Sequence, residues 1–206
     1  MKIQILVDNP KSWAVPYAEE LRKSLSYEAT IIHNHEEVIE GDILILLSCE
    51  KIFKQYDKNK YNIVVHASDL PSGKGWSPLI WQILEGKKRI PITLFEAANK
   101  VDAGDYYIKD FIQLDGNELI DESRHKMALK INEMVVNFIE NCDSFPPQKQ
   151  TGEESFYQKR NSDSSELDIN KTIAEQFNIL RTSDNERFPA YFIKDGKKFI
   201  LKIYKG

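Results

Sequence analysis

The chain has 206 residues, 41% of them hydrophobic and 29% charged. That is enough apolar content for the core of one α/β domain with a small appendage, and it excludes a chain disordered throughout. A net charge of -4 provides no basic stripe of the kind used to hold phosphate backbones, so no nucleic-acid partner is expected.

The stretch Met1 to Asp8 holds one lysine and a short apolar run. It is too short for a signal-peptide core and far below the roughly 18 apolar residues of a membrane span, so a cytoplasmic protein without a membrane partner is expected. Ile3 to Val7 reads as a buried strand. Pro10 to Pro16 then breaks the chain before a helix with Tyr17, Ala18, Leu21 and Leu25 on one face. The connection Asp-Asn-Pro-Lys-Ser-Trp has no glycine, so the dinucleotide fingerprint is missing.

Glu28 to Ile32 is a second strand, and Asp42 to Leu47 is a third whose continuous apolar run fits a sheet buried on both faces. Cys49 and Cys142 lie far apart without CxxC spacing, which argues against a disulfide framework and against a zinc site. The lysine-rich connection through Lys60 reads as a solvated face. Asn62 to Val65 is the next strand and delivers His66 to a loop with Pro71, Gly73 and Gly75. Ser77 is placed to cap a helix with Pro78 at its first position and Gly86 at its end. Ser72-Gly73-Lys74-Gly75 lacks the Ser or Thr after lysine and the earlier glycine of a phosphate loop.

Ile90 to Glu96 is another strand, Ala97 to Asp105 a loop and Tyr106 to Leu114 an extended segment. Alternation of strands and helices predicts a parallel sheet. Asn117 is the expected cap of a long helix in which Met127, Ile131, Met134, Val135 and Phe138 recur at helical spacing. Composition changes at Asp143-Ser144-Phe145-Pro146-Pro147, which divides residues 1–142 from a tail, 143–206. In that tail Gln148 to Glu154 reads as a linker, a helix starts from Asn170, and a hairpin turns at Asp195-Gly196. The tail is small and is expected to pack on the first domain rather than fold alone.

His66 and Asp102 both follow apolar strands, and in a parallel sheet such strand ends share one edge where ligands bind, so the two can meet. A carboxylate on one imidazole nitrogen fixes the tautomer and leaves the other to accept a proton or hold an oxyanion. Ser68 and Ser77 do not lie in Gly-x-Ser-x-Gly, which makes an α/β-hydrolase the weaker reading.

Four blocks occur in order: His66-Ala-Ser-Asp-Leu-Pro-Ser-Gly-Lys-Gly-Trp-Ser-Pro78, Trp81-Gln-Ile-Leu-Glu-Gly86, Ile92-Thr-Leu-Phe95 and Val101-Asp-Ala-Gly-Asp105. Together they resemble the signature of formyltransferases that use N10-formyltetrahydrofolate. The tail, with Phe156-Tyr-Gln-Lys-Arg160, Ile179-Leu-Arg181 and Phe188-Pro-Ala-Tyr-Phe192, resembles the nucleotide-sugar branch acting on 4-amino sugars. The resemblance implies a Rossmann-like formyltransferase sheet with a small C-terminal helix and β-hairpin. It also implies transfer of a formyl group to a UDP- or dTDP-linked 4-amino-4,6-dideoxyhexose, a pseudaminic acid precursor being one example, in surface-glycan synthesis.

By the same resemblance His66 and Asp102 are catalytic, and Ser48, Cys49, Glu50, Lys51, Ala97, Ala98, Asn99 and Val101 lie against the folate. Ser68, Lys74, Trp76, Tyr157 and Arg160 face the nucleotide sugar. The family's asparagine two residues before the histidine is Val64 here, and Asn62 on the same strand face lies about 13 Å from His66 at strand rise. Ser68, a backbone N–H or His66 alone is left to serve the oxyanion. Alternatives are a hydrolase releasing formate from the folate and a binding module without turnover. No metal is implied, and a homodimer remains open.

Overall fold

The computed structural model describes residues 1–206. The order of elements is β1 (Ile3–Leu6), α1 (Val15–Ser24), β2 (Ala29–Ile32), β3 (Gly41–Leu46), β4 (Asn59–His66), β5 (Lys74–Gly75) and α2 (Pro78–Leu84). There follow β6 (Arg89–Glu96), β7 (Tyr106–Gln113), α3 (Ile120–Asn141), β8 (Phe156–Tyr157), α4 (Phe177–Thr182), β9 (Ala190–Lys194) and β10 (Lys197–Leu201).

Six strands form one sheet in the order β2-β1-β3-β4-β6-β7. The first four are parallel, as the alternating pattern leads one to expect. The last two are not: β6 runs antiparallel to β4, with His66 opposite Thr93 and Ile63 opposite Glu96, and β7 runs antiparallel to β6. Side-chain periodicity encodes which face a strand buries and not which way it runs, and α2, with only seven residues, does not carry the chain back for a parallel crossover.

The strands divide their side chains by the two-residue period. Ile3, Ile5, Ile43, Ile45, Ile63, Ile92 and Leu94 join Leu21 of α1 and Ile131, Val135 and Phe138 of α3 in the main core. Leu6, Leu44 and Leu46 turn to the opposite face, where Ile32, Val38 and Phe53 complete a smaller cluster with Val64 and Ala97 at its rim. The continuous apolar run of β3 is thus buried on both sides.

The helix expected to be capped by Asn117 begins instead at Ile120. Glu118 accounts for the delay. Its buried carboxylate accepts the N–H groups of Asp115 and Gly116 and so fixes a separate turn, while the Glu122 carboxylate takes the N–H of Leu119 at the helix entrance. The tail helix is also shorter than the apolar spacing suggests, because the Gln176 side chain binds the backbone of Asp168 and Lys171 and holds the preceding residues in turns. The hairpin turns at Asp195-Gly196, both at positive φ, as a two-residue turn requires.

Glu118 also docks the tail. Its backbone carbonyl accepts from Arg181 of α4 at 3.2 Å, and Lys126 of α3 pairs with its carboxylate. Burial alone pushes this carboxyl up, but the Lys126 ammonium and the two backbone N–H groups outweigh it and bring the pKa to about 2. The folded pKa lies below that of an unfolded glutamate, so the ionised group stabilises the fold above about pH 4.3, and this contribution drains away as pH falls toward about 2. Denaturant titrations across that window should show Glu118→Gln with a flatter acid limb than the wild type. Parallel limbs would mean that the turn does not depend on the charge.

Candidate active site

His66 is the last residue of β4, in the middle of the sheet at the carboxyl edge of the parallel strands. The chain beyond it is pinned. The buried Gln82 carboxamide donates to the Ala67 carbonyl at 2.6 Å, and Thr93 Oγ1 donates to that of Ser68 at 2.7 Å. The loop then bends back so that His66 Nε2 donates to the Gly73 carbonyl at 2.9 Å. Two residues on, the Gly75 N–H donates to Asp102 Oδ2 at 2.9 Å. Gly75 has φ of 96°, and a Cβ there would overlap the Tyr157 carbonyl, so no other residue fits this bend.

Asp102 arrives by a different route from the one expected. Because β6 is antiparallel, its end at Glu96 lies beside Ile63, inside the sheet rather than at the His66 edge. The chain returns through a loop anchored by the Ala97 N–H on Asn62 and by the Tyr56 hydroxyl on the Ala98 carbonyl. It then turns left-handed at Asp102, with φ of 49°. The carboxylate comes to 3.7 Å from His66 Nε2, with both side chains nearly buried. At that distance it faces the ring as a charge, and the Gly73 carbonyl, not Asp102, holds the Nε2 proton and sets the tautomer. Nδ1 is the ring nitrogen left for chemistry. Neither the Gly73 carbonyl nor the Gly75 N–H is visible to side-chain reasoning, because both are backbone groups.

The residues assigned to the folate follow β3 and β6. Ser48, Glu50, Lys51, Asn99 and Val101 are exposed, and Ser48 sits at φ of 54°. The Glu50 and Lys51 N–H groups are taken by the Asp8 carboxylate at 2.8 and 2.9 Å, and His35 Nε2 meets the same carboxylate at 3.2 Å. Asp8 therefore shapes this loop, a role its sequence position does not advertise. The Cys49 thiol bonds the Leu6 carbonyl.

The five residues assigned to the sugar nucleotide are not alike. Trp76 is exposed, with Lys159 Nζ 4.5 Å from its ring. Ser68 is buried, with an unpartnered hydroxyl beside Gly73. The Lys74 ammonium is buried and paired with Glu154 at 2.6 Å. Tyr157 stacks on Trp81 and donates to Glu85 at 2.9 Å, and burial followed by the Glu85 carboxylate raises its pKa. Arg160 donates to the Ser164 carbonyl at 3.2 Å, and burial together with Arg124 lowers its pKa. Of the five, only Trp76 is exposed to solvent. No group of three or more His, Cys, Asp or Glu side chains is placed to hold a metal ion.

This architecture is the formyltransferase fold. Among solved structures it superposes on methionyl-tRNA formyltransferase from Clostridium thermocellum with a TM-score of 0.79, at 24% identity over all of both chains. A 4-N formyltransferase from Francisella tularensis gives 0.72, at 20% identity over 98% of this chain and 96% of that one. HypX from Aquifex aeolicus in complex with tetrahydrofolic acid gives 0.81, at 19% identity over 98% of this chain and 37% of that one. In sequence the chain is similar to methionyl-tRNA formyltransferase of Bacillus subtilis, 32% identical over 151 residues, which span 69% of this chain and 47% of that protein. The chain spans about half the length of the curated relatives it matches. No family model matches it.

Burial pushes the Cys49 thiol up to about 12, and Asp8 adds to the shift. Alkylation of the folded protein at pH 8, followed by peptide mapping, should leave Cys49 unmodified until denaturant is added. Rapid native labelling would show that the 48–51 loop opens.

Proposed function

We propose that the protein moves a formyl group from N10-formyltetrahydrofolate to the amine of a nucleotide-linked amino sugar, with His66 and Asp102 as its catalytic pair. The observation that carries this reading is the placement of His66 at the centre of the sheet edge, with a carboxylate 3.7 Å from one ring nitrogen and the other left for substrate. The solved relatives support both halves, one as a tetrahydrofolate complex and one as a 4-N formyltransferase.

The neutral amine attacks the formyl carbon and forms a C–N bond, while the carbonyl electrons move onto oxygen. His66 Nδ1 takes the amine proton, and the imidazolium so formed faces the Asp102 carboxylate, which offsets its charge. Collapse breaks the bond to N10, and that nitrogen carries away the proton. The folate lies against Ser48 to Lys51 and Ala97 to Val101, the formyl carbon toward His66. Trp76 offers a flat face for the base or sugar ring, with the Lys159 ammonium near the diphosphate.

A second acceptor class, an aminoacyl-tRNA, is favoured by the curated relatives and by Lys194, Lys197 and Lys198 of the hairpin, which carries one aspartate, Asp195, whereas Lys202 and Lys205 are paired with Glu186 and Glu122. Incubation of N10-formyltetrahydrofolate with UDP- and dTDP-linked amino sugars, with methionyl-tRNA in a parallel reaction, separates the two by the mass gain of one formyl group. Gain on a sugar is expected; gain on the tRNA alone would move the assignment, and formate released without any amine would make the protein a hydrolase. His66→Asn and Asp102→Asn should each lower kcat by about a hundredfold or more with the fold intact. Near-normal turnover in either variant sinks the pair.

A further inference from the structure

Residues 148–157, whose first part, 148–154, is polar enough to read as a linker, run past the site and bind both of its halves. Gln148 exchanges backbone hydrogen bonds with Tyr106 at 2.8 and 2.9 Å. The Lys74 N–H donates to the Ser155 carbonyl, the Gly73 N–H donates to Ser155 Oγ at 2.8 Å, and β8 pairs with β5. Between these anchors, Gln150 Nε2 donates to the carbonyls of Asp102 at 2.9 Å and Gly104 at 2.7 Å.

The loop that Gln150 touches is under constraint. Asp102 is held in the left-handed region that residues with a Cβ seldom occupy. At Gly104 a Cβ would overlap the Glu96 carbonyl, so the turn is pressed against β6 with no room to relax. The carbonyls at 102 and 104 converge on one point, and a carboxamide N–H2 has the two hydrogens needed to satisfy both. Gln150 meets this need with both of its amide hydrogens, while its own Oε1 is buried without a partner. The donors, not the acceptor, are what its placement serves.

We infer that Gln150 is a positioning residue for Asp102: it locks the turn that holds the carboxylate against the Gly75 N–H and opposite His66. The inference rests on the proposed role of the His66–Asp102 pair, although its structural half stands without it. Gln150→Ala removes the lock. Gln150→Glu puts a carboxylate against two carbonyl oxygens and should be worse than alanine despite its similar size.

The backbone gives a direct reporter. The Gly75 N–H bonds only to Asp102, whereas its neighbours at Lys74 and Trp76 bond to Ser155 and Tyr157 of the crossing segment. Amide exchange followed by NMR on the full chain should show Gly75 losing protection by at least about tenfold in Gln150→Ala and in Asp102→Ala, while Lys74 and Trp76 stay protected. With active enzyme, kcat should fall by about tenfold to a hundredfold and the KM for the folate should hold, as expected for a misplaced group. Unchanged exchange at Gly75 overturns the inference. So does loss at all three amides together, which would make Gln150 only a tether for the segment, or a variant whose kcat holds while KM rises. If the wild type transfers no formyl group to any acceptor, the functional reading fails, and the Gly75 exchange still decides whether Gln150 holds Asp102.

Discussion

The antiparallel return of β6 is the constraint on which the site depends. A parallel strand would have delivered its end to the same edge as His66, with residue 102 placed by the sheet. Because β6 runs the other way, its last residue stops beside Ile63, and the chain has to climb back along β4 without a strand to guide it. Glu96 begins the climb: its carboxylate takes the Asn62 N–H at 2.7 Å and the Tyr107 hydroxyl at 2.9 Å, bonds that join three neighbouring strands at the point of departure. Burial raises the pKa of this carboxyl even so, because desolvation there exceeds what the hydrogen bonds return. The left-handed turn at Asp102 and the missing Cβ at Gly104 are consequences of this detour.

Much of the frame was legible from the residues alone. Runs such as Ile-Leu-Ile-Leu and the two-residue period put β1, β3 and β4 where they are, and the Pro-Gly loop after His66 marked a strand end. Strand direction was not legible, and with it went the stated reason for His66 and Asp102 to meet, although they do meet. Asn117 offered the right chemistry for a cap but stands in a turn already fixed by the Glu118 carboxylate, a tertiary bond that propensity does not contain. Gln148 to Glu154 had the composition of a linker because its work is done by donors and acceptors facing neighbouring loops, and composition cannot show what a polar group faces.

Lys74 illustrates the same limit in energetic terms. An ammonium beside glycines suggests an anion site, yet here it is buried and paired with a carboxylate, Glu154, that is more than half exposed. Such a pair gains Coulombic energy against a desolvation cost borne mostly by the lysine, so its net contribution is small. Breaking it from the glutamate side would leave a buried unpaired charge, which is costly, and this asymmetry makes Glu154 a firm clasp for the crossing segment. The segment is therefore held at Tyr106 at the start of β7, at the Asp102 turn and at Lys74 of β5, three points along the chain that carries the His66–Asp102 pair.

The strand face leading to His66 sets the remaining terms of the chemistry. Val64 turns into the apolar cluster of Leu6, Leu44, Leu46 and Phe53, so β4 presents no polar side chain between Asn62 and the histidine. Asn62 cannot substitute. Its amide N–H2 is committed to the Tyr56 carbonyl and to Glu96, and about 13 Å of extended strand separates it from residue 66. In the proposed reaction an oxyanion beside His66 falls to the imidazole or to the unpartnered Ser68 hydroxyl, because the loop N–H groups at 68 and 72–76 are already bonded within the protein. The backbone that carries both side chains is fixed, because Gln82 and Thr93 hold the carbonyls of Ala67 and Ser68. A donor fixed in advance stabilises developing charge without reorganising. A chain with valine two residues before the histidine, where the family resemblance implies asparagine, thus depends all the more on the bonds that keep its loop and its carboxylate still.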